Sequence, residues 1–425
     1  MSRWSPGGSF AGLASTAAPS LLALIFLSRA SQNAGQTTFP LIGRDLLGMG
    51  QFSVGTAVAA AGLANVLSST VVIRGRRLPA SDLLAVGQIL ALASFVLLAV
   101  PAGRIGLWMG AIGVGAAAGI VFPSLMTVVA SGSGGRRTKA LALMSLVLSA
   151  SLIVGPLLEA AILRVLGNSL RGALAAFVAL PAAAAVLAGR AALRDRRRVR
   201  SADLLPAPAD APAGAQHGTA ADGLGGAFRL ALTVMLTYQV PFAAIVGFGA
   251  LLARRSDGLS ASGAQLAFGV FFATSAAVRL VLAAVNPDRH IGVILPVSAL
   301  LTMVGVAGVG LARNGPELLG AMAVLGVPHG TTFPLASSIL AEHARVDERQ
   351  LVRANGRLMA GTNAASVIVP FMFGWVASLV GYRTMFLLLE IPVVVAVAFL
   401  VMQLLSPRSP LRQPRPATRP SLPGP

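Results

Sequence analysis

Long apolar runs follow one another along almost the whole chain, separated by short polar gaps. An α-helix rises ~1.5 Å per residue, so ~20 apolar residues cover a hydrocarbon core of ~30 Å. On that measure the pattern predicts about twelve transmembrane helices. The first six spans are 18–42, 50–73, 83–102, 106–130, 139–164 and 172–194. The second six are 228–253, 262–285, 291–312, 317–341, 357–380 and 384–406. Peptide groups inside lipid must find hydrogen-bond partners within the protein, so the expected class is an all-α membrane protein. Residues 1–28 imitate a secretory leader, with Arg3, then Leu21 to Leu27, then small residues. The apolar run continues through Phe39 to Gly43, so the first span is expected to be retained.

Composition agrees with lipid as the solvent. The chain is 55% hydrophobic and 11% charged, where soluble domains carry ~25% charge. The net charge of +19 could suggest nucleic-acid binding, but the positions of the charges argue for topology. Arg74, Arg76, Arg77, Arg136, Arg137, Lys139, the cluster Arg196 to Arg198 and Arg200, and then Arg289, Arg345, Arg349 and Arg353 fall on one side of the predicted membrane. Only a few basic residues, among them Arg44, Arg104, Arg254 and Arg255, fall on the other. Cytoplasmic loops carry the excess of Lys and Arg. Both termini are therefore expected in the cytoplasm, with the protein in the cytoplasmic membrane, in contact with lipid and not with nucleic acid. There is no cysteine, so disulfides, thiolate metal sites and thiol catalysis are excluded.

The longest gap, 196–227, contains Pro206, Pro208 and Pro212 among Ala, Gly and Asp, a flexible linker composition. It separates two expected halves, 1–195 and 228–406; residues 407–425, rich in Pro and Arg, are expected to be disordered. The halves share a pattern. Gly119, Phe122 and Pro123 of the fourth span recur as Gly330, Phe333 and Pro334 in the tenth, each 211 positions on (330 less 119, 334 less 123). Pro156 and Gly167 recur as Pro370 and Gly381, each 214 positions on (370 less 156, 381 less 167). Six helices repeated in one orientation form a parallel repeat about an axis along the membrane normal.

Two six-helix halves, a basic central loop and cytoplasmic termini resemble the major facilitator superfamily, over residues ~15–406 and more by architecture than by motif. Gly75-Arg76-Arg77 matches the end of the superfamily's loop motif after the second helix, with Val72 and Ile73 in place of Asp-Arg; the second half keeps Asp288-Arg289. Gly113, Gly115, Ala116 and Ala117 are similar to its fourth-helix pattern, without the polar pair that precedes it. Gly155-Pro156 is similar to the start of the antiporter signature, which continues with two glycines where this chain has Leu158-Glu159. The resemblance implies two pseudo-symmetric six-helix bundles and a cavity lined by the first, fourth, seventh and tenth helices. It also implies gating by Arg74, Arg76, Arg77, Asp288, Arg289, Gly155 and Pro156.

Charge inside hydrocarbon costs ~2.5–3.5 kcal/mol per residue on insertion scales, so each such residue calls for a reason. Away from the span ends, five acids, bases or histidines lie inside the predicted spans: Arg29, Glu159, Arg279, His329 and Glu390. Arg29 falls at the middle of the first span and shares a helical face with Gln32, Asn33 and Gln36. His329 falls at the middle of the tenth, beside Pro328, which can kink the helix. Glu159 lies ~12 Å outward of its span's middle, where it could pair with Arg29 or titrate. Arg279 lies ~8 Å inward, where snorkelling or gating would explain it. Glu390 is expected to be structural. With Phe122, Tyr238, Gln239, Phe242 and Asn363, the residues Arg29, Gln32, Asn33 and His329 form the expected solute-binding set. Glu159, His329 and Arg29 are the expected proton-coupling groups. Gly115 and Gly119, four apart, read as a close helix–helix contact.

No phosphate loop, nucleotide fingerprint, metal cluster or acyl-transfer set is present, so neither an enzyme nor a cofactor is expected. The expected function is secondary active transport of a small organic solute, as proton-coupled efflux by a monomer. Uptake of an organic anion is the alternative, because Arg29 and His329 lean positive. A non-transporting sensor and a lipid flippase on the same fold are the rivals.

Overall fold

The computed structural model describes residues 19–74, 78–132, 137–202, 222–285, 290–343 and 348–407, with 409 and 411. Helix accounts for nearly all of them, and no strand occurs among the described residues. The elements are α1 (Pro19–Leu41), α2 (Gln51–Arg74), α3 (Ala80–Ala99), α4 (Gly103–Gly132) and α5 (Arg137–Val165). Helix α6 is Leu170–Phe177 continued after Val178 by Ala179–Ala202; α7 is Asp222–Ala244, carried through a π-helical turn, Ile245–Gly249, into Ala250–Arg255. Then come α8 (Ala261–Ala284), α9 (Ile291–Leu311), α10 (Gly315–His343), α11 (Glu348–Leu388) and α12 (Glu390–Leu405).

Every predicted span is thus helical, with two differences of detail. Among the described residues, ten helices qualify as membrane-crossing by length and composition. α1 falls short because Arg29, Gln32, Asn33 and Gln36 dilute its apolar character, and Arg357–Leu405 counts as a single run. That run breaks at Gly381, whose φ of 81° takes it out of the helix, a conformation glycine adopts without strain. Several helices also outrun the predicted ends. Residues 196–202 and 222–227, read as linker, continue α6 and α7, and α11 starts at Glu348 rather than 357. Residues 203–221 and most of 407–425 lie outside the described residues, although Leu411 packs on the core formed by α7, α9 and α10.

Contacts between helices repeat across the two halves. α2 packs on α4 as α8 packs on α10; α3 on α4 as α9 on α10; α1 on α5 as α7 on α11. Glycine sets the closest approach. A Cβ on Gly115 or Gly119 would collide with the carbonyl oxygen of Ala61 or Asn65 on α2. At the equivalent places in α10, Gly326 and Gly330 meet the carbonyls of Phe271 and Ser275 on α8. α1 and α7 share a further device, a proline (Pro40, Pro241) followed within a few residues by a π-helical turn, the kind of insertion often found at functional sites.

The halves meet along two seams, α2 against α11 and α5 against α8. Towards the end of the bundle away from the termini, a single apolar core spans both halves. It runs from Phe39, Leu163 and Phe177 to Phe248, Phe271 and Phe386. Towards the end where α1 begins and α12 ends, the core divides. Leu24, Leu84, Val121, Met144 and Ala188 form one cluster in the first half. Leu230, Leu295, Leu335, Leu358 and Leu400 form another in the second. The apolar packing is thus continuous between the halves at one end of the bundle and divided at the other.

Replacing Gly115 with valine should cost about 1–3 kcal/mol, because the new side chain meets main chain that cannot turn aside. Gly189→Val, where nothing lies within 4 Å, should leave thermal stability in detergent almost unchanged. Equal melting temperatures for the two variants would contradict this packing.

Candidate functional site

The first helix keeps its small polar groups to itself. Ser28 Oγ donates to the Leu24 carbonyl at 2.5 Å and accepts from Gln88 Nε2 at 2.5 Å. Ser31 and Thr37 donate to the carbonyls of Ser28 and Asn33, both at 3.0 Å. Such back-bonding satisfies hydroxyls inside an apolar bundle. The longer side chains are left over. Gln32 and Asn33 are buried, and Asn33 Nδ2 has no hydrogen-bond partner. Arg29 is half-buried and makes no hydrogen bond or ion pair. It lies close enough to interact electrostatically with Arg279 and His329, both in the other half. It therefore faces the junction of the halves rather than lipid.

His329 stands inside a ring of aromatic side chains. Its imidazole centroid is 4.9 Å from Phe242, 5.0 Å from Phe271, 5.1 Å from Tyr238 and 5.6 Å from Phe272. Phe242 lies nearly parallel to it, at 18°. α7 contributes Tyr238 and Phe242 one turn apart, and α8 contributes the adjacent Phe271 and Phe272. His329 Nε2 and Tyr238 Oη are both buried without a partner.

Arg279 closes the group from α8. One guanidinium nitrogen donates to Ser149 Oγ on α5 at 3.2 Å, and another reaches the His329 carbonyl at 3.5 Å. Its Nε is buried and unpartnered. The snorkelling explanation fails: the side chain turns into the bundle and ties α8 of one half to α5 of the other. Among the described residues no carboxylate pairs with it, and the salt bridges, Arg196–Asp82, Arg254–Asp45, Arg255–Asp45 and Arg383–Asp257, lie at helix ends.

Glu159 does not reach Arg29. Its carboxylate is 1% exposed and accepts a hydrogen bond from Thr38 Oγ1 on α1. Gln265 of α8 donates to Thr37 and Thr38 at 3.2 and 3.3 Å. Glu159 Oε2 and Gln265 Oε1 remain without partners. Helices α1, α5 and α8 thus meet in one buried polar network that crosses the seam. Gln265 was not singled out in the sequence because it carries no charge, although it is the one long polar side chain in the first half of an otherwise apolar α8.

The remaining expectations scatter. Tyr238 and Phe242 join His329, but Gln239 turns to Ser366 Oγ on α11, 3.4 Å away. Asn363 is half-buried on α11. Phe122 is 42% exposed on α4 and stacks with no ring; its repeat partner Phe333 is 48% exposed. Gly155 faces Ala30 of α1, where an added Cβ would lie 3.3 Å from the Ala30 Cα, so with Pro156 it sets the α1–α5 contact beside Arg29. Glu390 opens α12, away from the other charges. Arg74 ends α2, and Arg76, Arg77, Asp288 and Arg289 lie outside the described residues.

The Major Facilitator Superfamily profile matches residues 21–352 and 230–424, between them nearly the whole chain. The chain belongs to this superfamily. No curated protein sequence matches it. Among solved structures, the nucleoside transporter NupG superposes with a TM-score of 0.68 at 14% identity, covering 90% of this chain and 97% of its own. A POT family transporter in complex with 5-aminolevulinic acid gives 0.68 at 10% identity, covering 94% and 98%. A bacterial homologue of the human lysosomal transporter Spinster, inward-facing and occupied, gives 0.65 at 14% identity, covering 90% and 95%. At these identities the likeness is one of fold. As a superfamily member, the protein is a multi-pass membrane transporter.

In this transporter the sealed end is fastened by polar contacts between the halves. Asp45, just after α1, accepts from Arg254 at 2.6 Å and Arg255 at 2.7 Å at the end of α7. Asn168, in the left-handed region at φ 64°, accepts from the Ser262 amide in the first turn of α8 at 2.9 Å. A helix's first amides have no partner within the helix, so Asn168 caps the opposite half. Arg383 fastens the second half to itself. It donates to the Ala312 and Ser256 carbonyls and to Asp257 Oδ1, at 2.8, 3.2 and 2.8 Å. The Asp257 side chain is 0% exposed. Burial raises its carboxyl above the ordinary range, and the Arg383 hydrogen bond opposes that rise.

Arg383→Ala should therefore cost on the order of 2 kcal/mol, less than a fully buried pair because Arg383 is itself partly solvated. A carboxyl raised in the folded state costs stability once pH climbs through its raised value, and the cost vanishes below its unfolded value. The deficit of Arg383→Ala should thus be largest near pH 8 and shrink towards pH 5, and adding Asp257→Asn should remove the pH dependence. A deficit independent of pH in the single variant would exclude this account.

Proposed function

We propose that this transporter moves a small organic solute across the cytoplasmic membrane by alternating access, exporting it in exchange for protons. The halves 1–195 and 228–406, joined by 196–227, rock about a site between them. The observation that supports this reading is the position of the polar residues. Arg29, Asn33, Tyr238, Arg279 and His329 gather where the halves meet, with one continuous apolar core beyond them and a divided core on the other side. A site sealed from one face and approached from the other is half of an alternating-access cycle. On the positive-inside rule the divided end would face the cytoplasm, which supports reading the conformation as inward-facing.

In this reading Arg29, Gln32, Asn33, Tyr238, Phe242 and His329 contact solute, with Gln239, Asn363 and Phe122 at the edges of its path. Glu159 is the proton site. It has no cationic partner, it is linked through Thr38 to Gln265 across the seam, and protonation would turn one oxygen into a donor. Gain or loss of that proton changes what holds α1, α5 and α8 together. Arg29 and His329 relay the charge change to the solute. Arg74, Arg76, Arg77, Asp288 and Arg289 gate the cytoplasmic loops, Arg279 and the Gly155-Pro156 contact respond to the rocking, and the monomer is the working unit.

Counterflow in proteoliposomes tests the reading, after a thermal-shift ligand screen at two pH values has supplied the solute. Arg29→Ala should lower counterflow at least about tenfold while the folded yield holds. Glu159→Gln should keep counterflow but lose acceleration by a proton gradient. Normal counterflow in Arg29→Ala would refute the site. Movement of headgroup-labelled lipid without soluble solute would replace the reading with a flippase.

The sealed end gives a second expectation. The chain has no cysteine, so a single cysteine at Ser262 reports on that face alone. Asp45→Asn should speed its reaction with an impermeant maleimide several-fold, since Arg254 and Arg255 lose their shared partner. An unchanged rate would mean that the pair does not hold that end shut.

A further inference from the structure

We infer that the solute this site takes is a small organic anion, held between Arg29 and Arg279 with its apolar part against the face of Phe242 and His329. The inference rests on the transport reading above and names the charge of its cargo.

The two guanidiniums come from opposite halves and share one neighbour, α5: Arg279 of α8 donates to Ser149 on it, and Gly155, six residues on, packs against Ala30 of α1, next to Arg29. Two like charges at the same helix junction inside a membrane bundle are a costly arrangement. Folded proteins relieve it with an acid, and no acid serves here. Among the described residues, and away from the span ends, the spans hold two acids. Glu159 is engaged by Thr38, and Glu390 stands at the start of α12. Arg279 has neutral partners only, a serine hydroxyl and a main-chain carbonyl, and its Nε is buried with none. Arg29 has none at all.

The neighbouring unpartnered atoms lean the same way. Asn33 Nδ2 and Tyr238 Oη are buried donors with nothing to donate to. Gln265 Oε1 and Glu159 Oε2, the free acceptors of the seam, belong to the network around Thr37 and Thr38 on the far side of α1's polar stretch. A carboxylate or similar oxyanion is the group that two guanidiniums recognise best, through charge-assisted hydrogen bonds. The apolar part of the ligand meets rings rather than aliphatic side chains. Phe242 and His329 are only half-buried, and behind them Tyr238, Phe271 and Phe272 hold the imidazole so that it presents a fixed face. A cation would meet two like charges and no counter-charge. A neutral solute would leave both guanidiniums uncompensated.

The test uses three isosteres on purified full-length protein: benzoate, benzyl alcohol and benzylamine, at neutral pH. Benzoate should raise the melting temperature and bind at least about tenfold tighter than the alcohol, with benzylamine producing no shift. The alcohol and amine control for partition into detergent. Arg29→Gln and Arg279→Gln should each abolish the benzoate shift, and Arg29→Lys should keep part of it. Without ligand, Arg29→Gln should melt at or above the wild-type temperature, because it removes a repulsion. An arginine with a structural role would give the opposite sign. Equal shifts from alcohol and benzoate, a larger shift from the amine, no shift from benzoate up to about 10 mM, or a benzoate shift that survives Arg29→Gln would each overturn the inference. Arg29-dependent counterflow of a neutral or cationic solute would end the anion assignment and leave alternating access standing. Absence of counterflow for every solute tried would instead end the transport reading.

Discussion

A peptide group in hydrocarbon has no water to fall back on, and everything else in this molecule follows from that restriction. It makes each apolar run a helix, because only a helix satisfies its own main chain. It also removes the hydrophobic drive for helices to associate, since lipid tails are as apolar as leucine. What remains is close packing, and glycine supplies it. Gly115 and Gly119 on α4 admit the main chain of α2, as Gly326 and Gly330 on α10 admit that of α8. The same contact, made twice, gives each half its rigid centre.

Against that frame of satisfied main chain, the charged side chains stand out. Some at the helix ends are paired: Asp45 with Arg254 and Arg255, Asp82 with Arg196, Asp257 with Arg383. Among the described residues Arg29 and Arg279, deep in the bundle, have no acid. The contrast separates two uses of charge. The Asp45 pairs join the two halves at their ends, and under the proposal above the unpaired cations would leave binding energy for something that comes and goes.

Much of the fold was legible in the sequence because lipid enforces a simple rule of length and polarity. The repeat was legible because glycines that touch main chain tolerate no substitute, and so the interval between Gly119 and Gly330 survives as a trace. The site was legible only in part. Arg29 and His329 stood out by their cost, and both lie at the junction of the halves. Gln265, Ser149, Phe271 and Phe272 did not, because a neutral amide or a phenyl ring inside an apolar span carries no signal until its neighbour is known. The Glu159–Arg29 pairing looked reasonable because opposite charges attract. It fails because Glu159 meets α1 at Thr38, ~13.5 Å along the helix from Arg29. The reach of α6 and α7 into residues read as linker was hidden for a related reason, since a polar helix beyond the membrane has no apolar run to announce it.

The two seams were once copies of each other, and they have drifted apart chemically. Along α2 and α11, Gly55 and Gly374 bring main chain against main chain, and Phe52 meets Phe371 edge-on at 5.4 Å. Along α5 and α8, the facing surfaces carry Glu159, Gln265, Ser149 and Arg279. In the rocking motion proposed above, the first seam would slide main chain on main chain, whereas the second would have to break and remake the hydrogen bonds it holds. One joint of the repeat would then carry the motion while the other registered it.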